Sequence, residues 1–314
     1  MKKIVLAGGS GFLGHTLASH FLKSGHAVTV LSRAPKTGTT GVREIMWDAS
    51  LAGDWVCELE DAFAVINLAG RSVNCRYHTR NRSLILESRV RSTEVISQAI
   101  AKCQRPPSVW LNASTATIYK HTFGPAWDES GAIGATPEAR DEFSIQVATD
   151  WERALNQVPT PATRKVALRA AMVLGSHKHS VFSMLRRLTQ LGLGGKMGNG
   201  RQFVSWIHET DFCRAIEWLI SHEELSGPVN ICAPNPVPNS EMMKTFREVF
   251  GRPLGLPAAG WMLELGALAL RTETELIIKS RRVIPGRLIE SGFTFRFPLL
   301  RQALEDLQTG PKVE

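Results

Sequence analysis

The residues with the clearest chemical purpose lie near the N-terminus, in Gly8-Gly9-Ser10-Gly11-Phe12-Leu13-Gly14. An apolar run, Lys3–Ala7, precedes them, and Phe12–Ser24 follows with apolar residues at helical spacing. A glycine turn between a strand and a helix suits a dinucleotide. Gly8 permits the tight turn, Gly11 lets the backbone approach a pyrophosphate, and Gly14 lets helix and strand pack closely. Backbone N–H groups at the helix start, from Ser10 through Phe12 and Leu13, then face the phosphates. The second strand ends in Leu31-Ser32-Arg33, where a carboxylate would be needed to hold a ribose 2′-OH. Arg33 pairs instead with a 2′-phosphate, and Ser32 can donate to it. The expected cofactor is therefore NADP(H); Lys36 lies close by and could assist, although a solvated surface role fits it better. A hydroxyl-rich stretch, Ala113-Ser114-Thr115-Ala116-Thr117, follows the fifth predicted strand, where a hydroxyl can cap a turn.

These residues need a scaffold that brings strand ends together. Predicted strands at Lys3–Ala7, Ala27–Leu31, Arg43–Trp47, Ala64–Ala69, Ser108–Ala113 and Val166–Val173 alternate with helical segments, notably Ser83–Ala101. That alternation predicts an α/β protein with a Rossmann-type, doubly wound parallel sheet. Later come helices at Val181–Leu191, Phe212–Ile220 and Glu241–Phe250, the last capped by Asn239 or Ser240, and a short strand at Val229–Cys232. The expected division is a nucleotide-binding domain over 1–175, to which 203–233 returns, and a smaller C-terminal α/β substrate lobe made of 176–202 and 234–314. Ala258–Leu270 is too short to span a bilayer and contains Glu264, so it reads as an amphipathic core helix.

Composition narrows the partners. With 314 residues and 43% hydrophobic content, the chain can bury a sizeable core. The net charge of +8 comes from scattered basic residues, with a mild cluster at Arg281, Arg282 and Arg287, and no run of nucleic-acid type occurs. The expected partner is a small-molecule substrate rather than nucleic acid or a membrane. The apolar run at the N-terminus stops at Gly8, too early for a signal peptide. Five cysteines, odd in number and without a C-x-x-C pair, suit a reducing, cytoplasmic setting better than a disulfide framework or zinc site. His177 and His179 lack an obvious third metal ligand, so no metal is expected.

The pattern resembles the extended short-chain dehydrogenase/reductase superfamily, and most closely its YfcH-like epimerase family branch. The resemblance covers nearly the whole chain. It rests on Gly8–Gly14, Leu31-Ser32-Arg33, Asn67-Leu68-Ala69-Gly70 and Ser88-Arg89. It continues through Gly192-Leu193-Gly194-Gly195, Gly198-Asn199-Gly200-Arg201-Gln202, and Trp206-Ile207-His208 with Asp211. It ends at Arg281-Arg282-Val283-Ile284-Pro285 and Gly292-Phe293. It implies that Ser32 and Arg33 take the 2′-phosphate, that Leu68, Ala69 and Gly70 line the adenosine and its ribose, that Arg89 reaches toward the cofactor, and that the Val173 backbone lies near the nicotinamide. Gly194, Arg201, His208 and Arg287 are the expected lining of a substrate cleft. One departure is Arg71, where the family usually carries Glu after Asn-Leu-Ala-Gly.

Enzymes of this superfamily use Tyr-x-x-x-Lys, the Lys and cofactor ribose lowering the Tyr pKa so that the phenol serves as acid or base. No such pair exists here: Tyr77 is followed four positions on by Asn81, and Tyr119 by Phe123. Related epimerases carry a Glu about two turns after the Tyr. If Glu152 is that residue, Ser144 and Ala148 stand in the Tyr and Lys slots, or Phe143 and Val147 with a slip of one. The resemblance also implies a hydroxyl after the fifth strand that polarises the substrate, with Thr115 the best match and Ser114 the alternative. Tyr119 could supply a phenol from a non-standard place, although a buried structural role fits it better. Two readings follow: an NADP-dependent oxidoreductase or epimerase-like enzyme, and a non-catalytic NADP(H)-binding sensor or regulator.

Overall fold

The computed structural model describes residues 1–35, 41–178, 180–258, 273 and 275–310. Lys36, His179 and nearly all of the 258–270 segment lie outside the described residues.

A seven-stranded parallel sheet forms the centre, in the order β10-β6-β5-β4-β1-β2-β3. Its strands are β1 (Lys3–Ala7), β2 (Ala27–Ser32), β3 (Val42–Met46), β4 (Ala64–Asn67), β5 (Val109–Thr115), β6 (Arg164–Ala170) and β10 (Gly227–Ile231). Near-continuous apolar runs such as Ile4–Ala7 suit strands covered on both faces. Alternation divides them: Ile4, Leu6, Val28, Val30, Ala64 and Ile66 join one core cluster, while Val5, Ala7, Leu31 and Val65 join the other. The first face packs on α1 (Phe12–Lys23) and α5 (Glu209–Ser221) through Leu17, Phe21, Phe212 and Leu219. The second packs on α2 (Thr79–Lys102) through Val95, Ile96, Ala99 and Ile100. The chain therefore winds both ways from β1, and the crevice where ligands bind in such sheets lies outside the C-terminal ends of β1 and β4.

A separate cluster holds the C-terminal part together. Phe182 and Leu185 of α4 (Val181–Gln190), Met242, Met243 and Phe246 of α6 (Asn239–Val249), and Leu300, Ala303 and Leu304 of α9 (Leu300–Thr309) pack around Trp206. Two short sheets run through this region, β7 (Met172–Leu174) on β9 (Trp206–His208) and β8 (Phe203–Val204) on β11 (Val237–Pro238). Two short helices complete the order, α7 (Glu275–Ile278) and α8 (Gly286–Glu290).

Three expectations are amended. The strand predicted over Val166–Val173 breaks at Ala171, because β7 leaves the main sheet to pair with β9. The helix expected at Ser83 starts at Thr79, its first turn too polar to show apolar spacing. Asn239 begins α6 rather than capping it, and its Oδ1 accepts from the Met197 N–H at 2.8 Å.

Gly14 sits in α1 directly against the glycine turn. A Cβ there would lie 2.2 Å from the Gly9 carbonyl oxygen, so its close partner is the turn itself rather than a strand. Gly14→Ala is expected to destabilise the fold by about 1–3 kcal/mol or more, the range for forced overpacking against unyielding backbone. Urea unfolding checks this, and a wild-type midpoint would contradict it.

Candidate cofactor and substrate site

The glycine turn is built from backbone contacts. Gly8 adopts a φ of +73°, and a Cβ on it would meet the Ala69 backbone at 2.7 Å. Its N–H donates to the Leu31 carbonyl at 2.9 Å, tying the turn to the end of β2. Gly11 differs: its backbone is extended, and a Cβ there would meet nothing within 4 Å. The fold does not need glycine at that position. No side chain caps α1, and its first turn holds no acid, so its N–H groups are open to an anion. Ser10 is exposed, while Phe12 and Leu13 turn partly inward. Phe12 stacks on His177 with ring centroids 5.6 Å apart.

Two more strand ends meet this turn. Ser32, last in β2, is buried, and its hydroxyl has no hydrogen-bond partner among the described residues. Arg33 beside it is exposed and makes no ion pair among them. At the end of β4, Leu68 N–H donates to the Ala7 carbonyl at 2.8 Å, and Ala69 N–H to Asn67 Oδ1 at 3.0 Å. The fully buried Asn67 is held by Asn112 Oδ1 at 2.8 Å, which fixes where β4 ends. Gly70 follows, and a Cβ there would sit 3.2 Å from the Arg89 guanidinium carbon. Arg89 Nη1 donates to the carbonyls of Arg71 and Ile85, each at 3.0 Å, and the guanidinium lies 5.1 Å over Trp151. No carboxylate pairs with it among the described residues, and burial pulls its pKa down to about 10. The structure thus brings Gly8, Ser32, Ala69, Gly70 and Arg89 around one crevice. Val173 lies in β7, paired with Ile207 and packed against the main core.

The catalytic candidates fare differently. Thr115 Oγ1 accepts the Thr117 N–H at 3.1 Å and so caps a 3-10 turn at Ala116–Ile118. Ser114 donates to Glu152 Oε1 at 2.7 Å. Glu152 in turn takes Nε and Nη2 of Arg169 at 2.9 and 2.8 Å. Arg169 Nη1 donates to the Tyr119 hydroxyl at 2.9 Å, and Tyr119 donates to Asn230 Oδ1 at 2.8 Å. Tyr119 is 1% exposed, and burial drives its pKa up to about 12. With its hydroxyl bonded both to Arg169 and to Asn230, Tyr119 suits a structural role better than acid/base work. In α3 (Glu142–Gln157), Ser144 donates to Glu275 and Ala148 is fully buried. Phe143 and Val147 pack with Ile85 on another face. None of the four forms a phenol–ammonium pair. Sequence reasoning missed Tyr77: its phenol lies against the Ser144 hydroxyl, a contact between residues 67 positions apart that no local pattern announces.

Of the residues expected to line a cleft, Arg201 is exposed and lies 5.6 Å over Phe123. Gly194 is buried where a Cβ would meet Thr189, and its carbonyl accepts from Arg247 at 2.7 Å. Arg287 braces the N-terminal end of the edge strand β10, donating to the Ser226 and Pro228 carbonyls at 2.5 and 2.8 Å, whereas the crevice lies at the C-terminal strand ends. His208 is 1% exposed and caps α5, its Nδ1 accepting from the Thr210 N–H at 3.0 Å. Its Nε2 faces Asp306 at 3.3 Å, while Asp211 accepts the N–H groups of Arg296 and Phe297 at 2.9 and 2.7 Å. The Trp206-Ile207-His208 motif with Asp211 fastens the C-terminal segment and does not line a cleft.

With this geometry in hand, the profile of the NAD dependent epimerase/dehydratase family matches residues 4–232. The chain belongs to that family. A domain of unknown function matches residues 258–307. Epimerase family protein YfhF of Bacillus subtilis is 32% identical over 97% of both chains. The crystal structure of human epimerase family protein SDR39U1 with NADPH superposes with a TM-score of 0.84 at 28% identity, covering 97% of this chain and 98% of that one. A nucleoside-diphosphate sugar epimerase from Corynebacterium glutamicum gives 0.75 at 26% identity, over 96% of this chain and 57% of that one. Among the described residues no helix is long and apolar enough to cross a membrane.

Burial drives the His208 pKa down to about 4 from 6.5, against the opposing charges of Asp306 and Asp211. Between those values the unfolded chain binds a proton that the folded chain refuses. Stability therefore falls as pH drops from 6.5 toward 4, by up to about 1.4 kcal/mol per pH unit from this group. His208→Asn keeps an acceptor for Thr210 and should flatten that slope. Urea unfolding of both proteins at several pH values tests it, and parallel slopes would refute the assignment.

Proposed function

We propose that this chain binds NADP(H) in the crevice at the glycine turn and works as an oxidoreductase or epimerase-like enzyme on a small molecule. The observation that carries this is Gly11: the fold leaves open space where its Cβ would be, directly at an uncapped helix N-terminus. A glycine that the fold does not require is explained by a ligand that does.

The residues present suit NADP(H). The first-turn N–H groups of α1 would hold the diphosphate. Ser32, with its unspent hydroxyl, and Arg33 would take the 2′-phosphate, where the end of β2 presents no acid to repel it. Leu68, Ala69 and Gly70 would line the adenosine ribose, Arg89 would bring its carboxylate-free cation toward the cofactor, and the Val173 backbone would lie near the nicotinamide. A bound NADPH would supply a hydride. Thr115 keeps one hydroxyl at the end of β5 to orient a substrate oxygen, while its cap to Thr117 fixes the oxygen in place. Five cysteines outside any disulfide among the described residues support a cytoplasmic setting. The absent Tyr-x-x-x-Lys pair favours a second reading, a non-catalytic NADP(H) sensor, and turnover assays separate the two.

NADPH should bind at least about tenfold more tightly than NADH, and Arg33→Ala should cost NADPH about 1.5–3 kcal/mol, the worth of a charge-assisted hydrogen bond, with little change for NADH. Gly11→Val should abolish binding of both while leaving the unfolding midpoint near wild type. Calorimetric titration decides; equal affinities, or a Gly11→Val protein that still binds, would sink the reading.

A further inference from the structure

A cavity of about 670 Å³ is lined by Tyr77 and Arg82 at the start of α2, Arg140 just before α3, and Glu275 of α7. The loop from β4 to α2, which carries Tyr77, leaves the same end of the sheet as the glycine turn. Arg89 joins the two: it touches the Gly70 position, and its charge acts on the Tyr77 phenol.

Ser144, which with Phe143 is one of the two positions where relatives are expected to carry their Tyr, connects these groups. Its hydroxyl donates to Glu275 and lies against the Tyr77 phenol. The Tyr77 ring packs edge-on against Phe143 with centroids 5.1 Å apart, so it is positioned by α3, the helix that should have supplied the phenol. Tyr119 donates its proton to Asn230 and accepts from Arg169; the Tyr77 hydroxyl has the Ser144 hydroxyl beside it and borders a cavity.

We propose that Tyr77, backed by Ser144 and Glu275, is the proton-transfer group of this protein, and that the cavity takes a small carbonyl compound or its alcohol. The proposal rests on the NADP(H) reading above. In the reducing direction the Tyr77 O–H bond breaks and its proton forms an O–H bond on the substrate carbonyl oxygen, while the carbonyl carbon gains the hydride of a reduced nicotinamide. The Ser144 hydroxyl, held by Glu275, returns a proton to the Tyr77 oxygen, and water in the cavity returns one to Ser144. Burial and the neighbouring Glu275 charge raise the Tyr77 pKa, so the phenol keeps its proton until a substrate oxygen takes it.

The test is a crystal structure of the full chain with NADP⁺, with Tyr77→Phe, which keeps the ring packing, assayed alongside. The expected structure has the Tyr77 hydroxyl facing the nicotinamide with nothing but substrate space between, so that a carbonyl oxygen sits within about 2.6–3.2 Å of it. Across a panel of small aldehydes and ketones, Tyr77→Phe should lose about 10²–10⁴-fold in kcat with NADPH affinity held, and Glu275→Gln should shift the pH profile. A Tyr77 hydroxyl turned away or walled off from the nicotinamide overturns the proposal whichever panel members react, as does undiminished turnover by Tyr77→Phe. A protein that binds no NADPH overturns the cofactor reading instead, a result visible in calorimetry before any crystal is grown.

Discussion

Gly14 rests on the Gly9 carbonyl, and Gly8 rests on the Ala69 backbone, both so closely that neither position admits a Cβ. These two contacts bind three pieces of chain: the end of β1, the start of α1 and the end of β4. They set the helix N-terminus over the crevice and bring Ala69 and Gly70 beside it. Every other group near the crevice takes its place from there. Arg89 reaches Gly70 because α2 packs its Val95, Ile96 and Ile100 under the same sheet, and Ser32 lies alongside because Leu31 pairs with both Ala7 and the Gly8 N–H.

The buried polar chain from Ser114 to Asn230 is a second rigid element. A buried ion pair such as Glu152–Arg169 costs desolvation that only complete hydrogen bonding offsets. Here the bonding is complete: two bonds join the pair, Ser114 adds one to the acid, and Tyr119 takes one from the base and passes its own proton on. Such a network rigidifies the ends of β5, β6 and β10 together. A phenol held this tightly gains geometry and loses freedom to exchange its proton. That is why Tyr119 belongs to the scaffold.

Much of the fold was legible because it follows local rules. Parallel strands buried on both faces show as apolar runs, and the glycine turn shows as a spacing; Ala27–Leu31 and Ala64–Ala69 are found within a residue or two of their observed bounds. The crevice residues were legible for the same reason, since Ser32, Arg33, Ala69 and Gly70 all lie at strand ends. What failed depended on distant partners. Nothing around His208 reveals that Asp306 and Phe297 will cover it, or around Arg287 that its guanidinium will brace the carbonyls of β10. Tyr77 had the opposite fate. It was passed over because a motif search asks for a lysine four residues on, whereas its neighbours arrive from α3 and α7.

The C-terminal segment is what brings those neighbours in. Asp211 holds the 296–297 backbone, and the buried Lys279 pairs with Asp141 at the head of α3 while donating to the Thr117 carbonyl at 2.5 Å. Lys279 is four residues beyond Glu275, so anchoring the lysine on α3 and the Thr117 turn also delivers the carboxylate to Ser144. Asp141 further accepts the Thr136 N–H at 3.0 Å, so the loop before α3 is fixed by the same carboxylate that receives Lys279. One buried ion pair therefore sets both walls of the cavity, the Rossmann side through α3 and the C-terminal side through α7. A Rossmann half without that segment would keep the glycine turn and lose Glu275. Nucleotide binding in this architecture depends on the sheet, whereas the surroundings of Ser144 and Tyr77 depend on the segment that follows it.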